Sequence, residues 1–127
     1  MPFPRLSDVP VAEETLVTIS QEQRISADSH MTEPSDLWEK RLPPALRARA
    51  PRFPNPNHAG GNVRAGGWDP YERLKDQAYD GISAEVLYPT RGCVAWVTGD
   101  PELEEACCRV YNDWLIEFGS AAPQRLT

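Results

Sequence analysis

From Leu103 to Phe118 the apolar residues return every third or fourth position: Leu103, Ala106, Cys107, Val110, Tyr111, Trp114, Leu115 and Phe118. That spacing lays one continuous stripe along an α-helix, and a stripe of this length has to be buried against another layer. Asp100-Pro101 supplies the helix start, and Glu102, Glu104 and Glu105 place negative charge near the positive end of its dipole. The stripe is a packing face, so Trp114 belongs to the core and not to a ligand platform. No other stretch constrains the fold as strongly.

The segments before it set the class. Ile82 to Tyr88 reads as a strand ended by Pro89, and the adjacent apolar pair Val86-Leu87 suits a parallel strand covered on both faces. Asp69-Pro70-Tyr71-Glu72 is a helix start: Asp69 caps, Pro70 pre-sets the backbone, and Glu72 can reach back. Tyr71, Leu74 and Ala78 would form the apolar stripe of that helix, with Gly81 taking the left-handed position past its end. An extended segment starts at Ile25, carries Asp28 and His30 near the end of its strand and is ended by Pro34. Pro34 can sit in the first turn of a helix whose Leu37, Trp38 and Leu42 share a face up to Pro43-Pro44. Another turn or two fits residues 44–50. Residues 51–67, with three prolines, four glycines and three asparagines, read as a loop. Residues 1–24 read as a flexible arm in which Leu16 to Ile19 could add a short edge strand, leaving 25–127 as the folded portion. Strand, helices, strand, helix is the order of parallel β/α units joined by crossovers.

Within this framework one strand carries chemistry. Asp28 and His30 stand two residues apart, so in a strand they leave the same face, with Ser29 turned away. A carboxylate oxygen beside an imidazole nitrogen can grip one divalent cation. The plainer alternative is a turn acid next to a hydrogen-bonded surface histidine. Glu33 is near enough to orient His30 by accepting a hydrogen bond from its ring N–H, or to serve only as a helix-start acid. His58, in the proline-rich loop, is a weak third donor. Glu85 is expected to pair structurally with Arg73 or Arg91. Arg91, after Tyr88-Pro89-Thr90, is a candidate for a substrate carboxylate, with a solvated loop arginine as its alternative.

Asp28-Ser29-His30 with Glu33-Pro34 and Asp36-Leu37-Trp38 resembles the opening of one branch of the amidohydrolase-related family of metal-dependent enzymes. Gly66-Gly67-Trp68-Asp69-Pro70, Arg73-Leu74, the run from Asp80 to Thr90, Tyr111-Asn112-Asp113-Trp114-Leu115 and Pro123-Gln124-Arg125-Leu126 resemble its following blocks in order. The resemblance implies an α/β fold: the first two β/α units of a (β/α)8 TIM barrel, interrupted by the proline-containing loop insertion. The C-terminal ends of the strands would form the site. It implies Asp28 and His30 as metal ligands where relatives commonly carry His-x-His. Zinc is the first expectation, with manganese as the alternative that a harder oxygen ligand admits. The remaining ligands of relatives lie on later strands. The implied activity of the complete enzyme is hydrolysis of a C–N or C–O bond, or decarboxylation of a small organic acid. This chain by itself is expected to be inactive.

Composition narrows the alternatives. A formal charge of −6 without a basic stripe argues against nucleic acid as a partner. Three cysteines, an odd number with no secretory leader in view, do not suggest a disulfide framework. No run is long enough to span a membrane, and the chain reads as cytoplasmic. A small-molecule substrate of the complete enzyme is the expected partner. Two readings remain from other classes: a non-catalytic module that associates through open sheet edges, as a homo-oligomer or with a partner's sheet, and an adventitious two-ligand metal binder.

Overall fold

The two long helices begin on the same device. The computed structural model describes residues 23–53 and 64–127. Its elements run β1 (Ile25–His30), α1 (Leu37–Arg41), α2 (Pro70–Asp80), β2 (Ala84–Tyr88) and α3 (Pro101–Gly119). Asp69 caps α2 by accepting from the Tyr71 and Glu72 amides at 2.8 and 3.2 Å. Asp100 caps α3 by accepting from the Leu103 amide at 3.3 Å. A proline follows each cap, where its missing N–H costs nothing. Gly81 closes α2 with φ of +68°, a conformation that strains any residue with a Cβ.

β1 and β2 pair in parallel, with Ile25 opposite Ala84 and His30 opposite Tyr88. The register slips between Ser26 and Ser29. The two serines are three positions apart, yet their hydroxyls hydrogen-bond at 2.7 Å, so the slip places both on one face. Asp28 and His30, two residues apart, leave the other face together by ordinary strand alternation. On the second edge of β2, Leu126 lies parallel to Glu85, with the Thr127 amide donating to the Glu85 carbonyl at 3.0 Å.

Leu87, Met31, Trp38, Leu42, Leu103, Cys107, Val110, Trp114, Phe118 and Leu126 meet in one apolar core. α1 docks on α3 through Trp38, whose indole N–H donates to the Cys107 carbonyl at 3.1 Å. Three surface ion pairs flank this contact, Arg41 bidentate to Glu117 at 2.8 and 2.7 Å and Arg49 to both Asp100 and Glu102. Exposed pairs of this kind add little stability. The Cys107 thiol is pushed up to about 11 by burial and by neighbouring Cys108, and behaves as a small apolar group.

Several expectations need correction. The opening of a TIM barrel is not what the structure shows. It shows a small α/β unit with a two-stranded parallel sheet and three α-helices among the described residues. Two strands define neither the common tilt nor the shear that closing a ring requires. Val86 is half-buried and Tyr88 is exposed, so β2 is not covered on both faces by the described residues. Tyr71 and Ala78 point outward, and the residue α2 buries is Gln77. The sheet beneath α2 is polar, and a polar side chain satisfies it. Arg91–Val97 winds into 3-10 turns where a loop was expected, and residues 44–50 hold a single such turn at Arg47–Arg49. No described helix is long and apolar enough to cross a membrane. His58, Leu16 to Ile19 and most of the arm lie outside the described residues.

Trp114 is 6% exposed, between the rings of Tyr111 and Phe118 at 6.1 and 5.7 Å. Trp114→Ala is expected to cost about 3–5 kcal/mol. Denaturant unfolding checks this, and an unchanged midpoint would contradict the placement.

Candidate functional site

His30 ends β1, and the chain after β2 passes directly over it. Nδ1 of His30 lies 2.9 Å from the Pro89 carbonyl oxygen. A carbonyl only accepts, so Nδ1 carries the proton, and in the neutral ring Nε2 is left with its lone pair. Nε2 lies 3.4 Å from Oδ1 of Asp28. Two acceptors so close repel unless the ring is charged or a cation lies between them. Both side chains are open to solvent, His30 54% and Asp28 85% exposed, and the Tyr88 ring stands beside the imidazole at 6.1 Å.

The span between these atoms suits a metal. Two ligands each about 2.0–2.2 Å from a zinc ion, at a tetrahedral angle, lie about 3.3–3.5 Å apart. A histidine that donates its other N–H to a backbone carbonyl is the usual arrangement of an imidazole ligand. The donor set stops at two. Among the described residues no group of three or more His, Cys, Asp or Glu side chains is placed to hold a metal ion. Asp28 and His30 thus fit two positions of a coordination sphere that ordinarily has three or more protein ligands.

Glu33 is fully buried. Its carboxylate accepts from backbone amides across the site: Thr90 and Gly92 on Oε1, each at 3.1 Å, and Arg91 on Oε2 at 2.8 Å. The structure thus places it against the strand-end loop and not in a hydrogen bond with His30. The Arg91 guanidinium donates to the Glu33 carbonyl and stacks over the Phe53 ring at 5.6 Å. Sequence reasoning missed Cys93, whose thiol shares the Pro89 carbonyl with His30 at 3.3 Å. It also missed Tyr111, whose buried hydroxyl has no partner among the described residues. Burial, and then the charges of Glu33 and Cys93, push that phenol well above its ordinary range. The signal for Cys93 was its spacing of four residues from Pro89. Tyr111 looked like any other residue of the stripe.

No family model matches the chain, and no curated protein matches it.

On the opposite face of the sheet Glu85 binds Arg73 at 2.6 Å, Gln77 at 2.9 Å and Ser29 at 3.1 Å. Arg73 also donates to the His30 carbonyl at 3.2 Å, which joins this network to the backbone of the site. Burial is the largest influence on the Glu85 carboxyl and acts to raise its pKa. The hydrogen bonds from Arg73 and Gln77, the Arg73 charge and the Ser29 hydroxyl together outweigh it and hold the group below the usual glutamate range.

A depressed carboxyl contributes stability above its unfolded-state pKa and loses it as pH falls through the folded value. Thermal stability is therefore expected to drop on acidification below about pH 4, and Glu85→Gln is expected to flatten that part of the profile. Melting curves from pH 7 to pH 2.5 check this. Superimposable normalised profiles for the two proteins would contradict it.

Proposed function

We propose that this chain supplies part of a divalent-metal site, through Asp28 and His30, to an amidohydrolase-like enzyme. Such an enzyme hydrolyses a C–N or C–O bond, or decarboxylates a small organic acid. One observation carries the reading: Nδ1 of His30 is committed to the Pro89 carbonyl while Nε2 faces the Asp28 carboxylate at 3.4 Å. The ordered motifs from Asp28 to Leu126 support the choice of family.

The roles of the chain's own residues follow from their positions. His30 presents a neutral nitrogen, Asp28 supplies a hard oxygen and charge, and the Pro89 carbonyl keeps the proton on the far side of the ring. Tyr88 walls the approach. A zinc or manganese ion held here would supply Lewis acidity and a water of lowered pKa. With two donors in place, the remaining ligands would come from elsewhere, and the chain alone is expected not to turn over substrate.

A second reading has its own observation. Ile25 is 60% exposed on β1, whose outer edge pairs with no strand among the described residues. A surface of that kind favours association with a second copy or with a partner's sheet. Light scattering on the purified chain separates the two: a stable oligomer that forms without metal and ignores its addition favours the interaction module.

For the metal, calorimetric titration with zinc and manganese is expected to show one ion per chain, with affinity falling at least about tenfold in the Asp28→Ala, His30→Ala double variant. Equal affinity in wild type and variant would overturn the assignment. The notch between these side chains is open, so the variant is expected to melt with the wild type.

A further inference from the structure

The fully buried Glu33 carboxylate has a geometric consequence for His30. Burying a carboxylate is unfavourable unless donors meet its oxygens, and here the donors are three successive backbone N–H groups of residues 90–92. The first is the decisive one. The Thr90 N–H and the Pro89 carbonyl belong to a single peptide unit, which is planar and trans. In such a unit the N–H and C=O point in opposite directions. When Oε1 of Glu33 holds the Thr90 N–H at 3.1 Å, the Pro89 oxygen is turned away from Glu33, and there it meets Nδ1 of His30 at 2.9 Å.

The neighbouring contacts remove the other ways the unit could turn. The Met31 amide holds the Tyr88 carbonyl at 2.8 Å, just before Pro89. The Arg91 guanidinium returns to the Glu33 carbonyl, just after. Gly92 completes the grip: a Cβ there would lie 2.9 Å from Pro89 Cβ, 3.1 Å from Oε1 of Glu33 and 3.2 Å from the Tyr111 ring. Only a glycine lets the third amide close on the carboxylate.

We propose that Glu33 is the positioning residue of the Asp28–His30 pair. It orients the Pro89–Thr90 peptide so that the carbonyl fixes the Nδ1–H tautomer of His30 and leaves the Nε2 lone pair facing Asp28. This deepens the metal-site reading and rests on it for the use of that lone pair, though not for the geometry.

The test reads the tautomer directly in the full-length, metal-free chain. Long-range 1H–15N correlation at about pH 8.5, where imidazole is neutral, reports which ring nitrogen carries the proton. A His58→Gln background leaves His30 as the chain's remaining histidine. Wild type is expected to show Nδ1–H, with slowed amide exchange at Thr90, Arg91 and Gly92. Glu33→Gln keeps the shape but sets an amide donor against backbone donors. It is expected to lose the Nδ1–H signature and to bind cobalt about tenfold more weakly.

Nε2–H in the wild type overturns the proposal whether or not any variant folds. A folded Glu33→Gln chain that keeps the wild-type tautomer also overturns it. If the tautomer moves as expected but the wild type takes up no cobalt, the positioning role stands and the metal reading falls. If cobalt binds equally to both proteins while the tautomer stays put, the metal reading survives and the positioning role does not.

Discussion

The Arg73–Glu85 pair is the contact on which the rest of this arrangement depends. Both side chains are largely buried, at 14% and 11% exposure. Glu85 gathers β1 through Ser29 and α2 through Arg73 and Gln77, and Gln77 continues the chain of bonds to Arg125. A buried ion pair is weak evidence of net stability, because desolvation offsets much of the attraction, yet removing one partner strands the other. Its effect here is specification. It sets which face of β2 looks at α2, and the short sheet has few apolar residues with which to make that choice alone.

The sheet is divided accordingly. Glu85 and Leu87, two residues apart, share the covered face, the first in the polar network and the second in the apolar core shared with α3. Ser29 joins the polar half. Asp28, His30 and Tyr88 occupy the other face and the strand ends, where solvent reaches them. Folding and candidate chemistry thus use opposite sides of the same few residues.

What was legible in the sequence depended on whether a pattern was local. The α3 stripe, the Asp-Pro starts at residues 69–70 and 100–101, and the left-handed Gly81 all act within a few residues of themselves and were readable. So was the common side of Asp28 and His30, since one strand suffices to place them. The bulge between Ser26 and Ser29 was not, because it is defined only against the partner strand. The buried side of α2 was misread because Gln77 is polar, and only the presence of Glu85 beneath it makes a polar residue the right one. Glu33 was singled out as a group near His30, but its partners are amides 57 to 59 positions away. The barrel expectation came from resemblance, and the two-stranded sheet does not supply it.

The division of the sheet bears on how such a site could change over generations. Replacing Asp28 by histidine, or His30 by another donor, would disturb no part of the Glu85 network or the apolar core. The notch between them is therefore open to drift, because neither side chain takes part in the contacts that hold the sheet together. Ser29, sitting between the two, has no such latitude. Evolvability in this chain alternates residue by residue along a single strand.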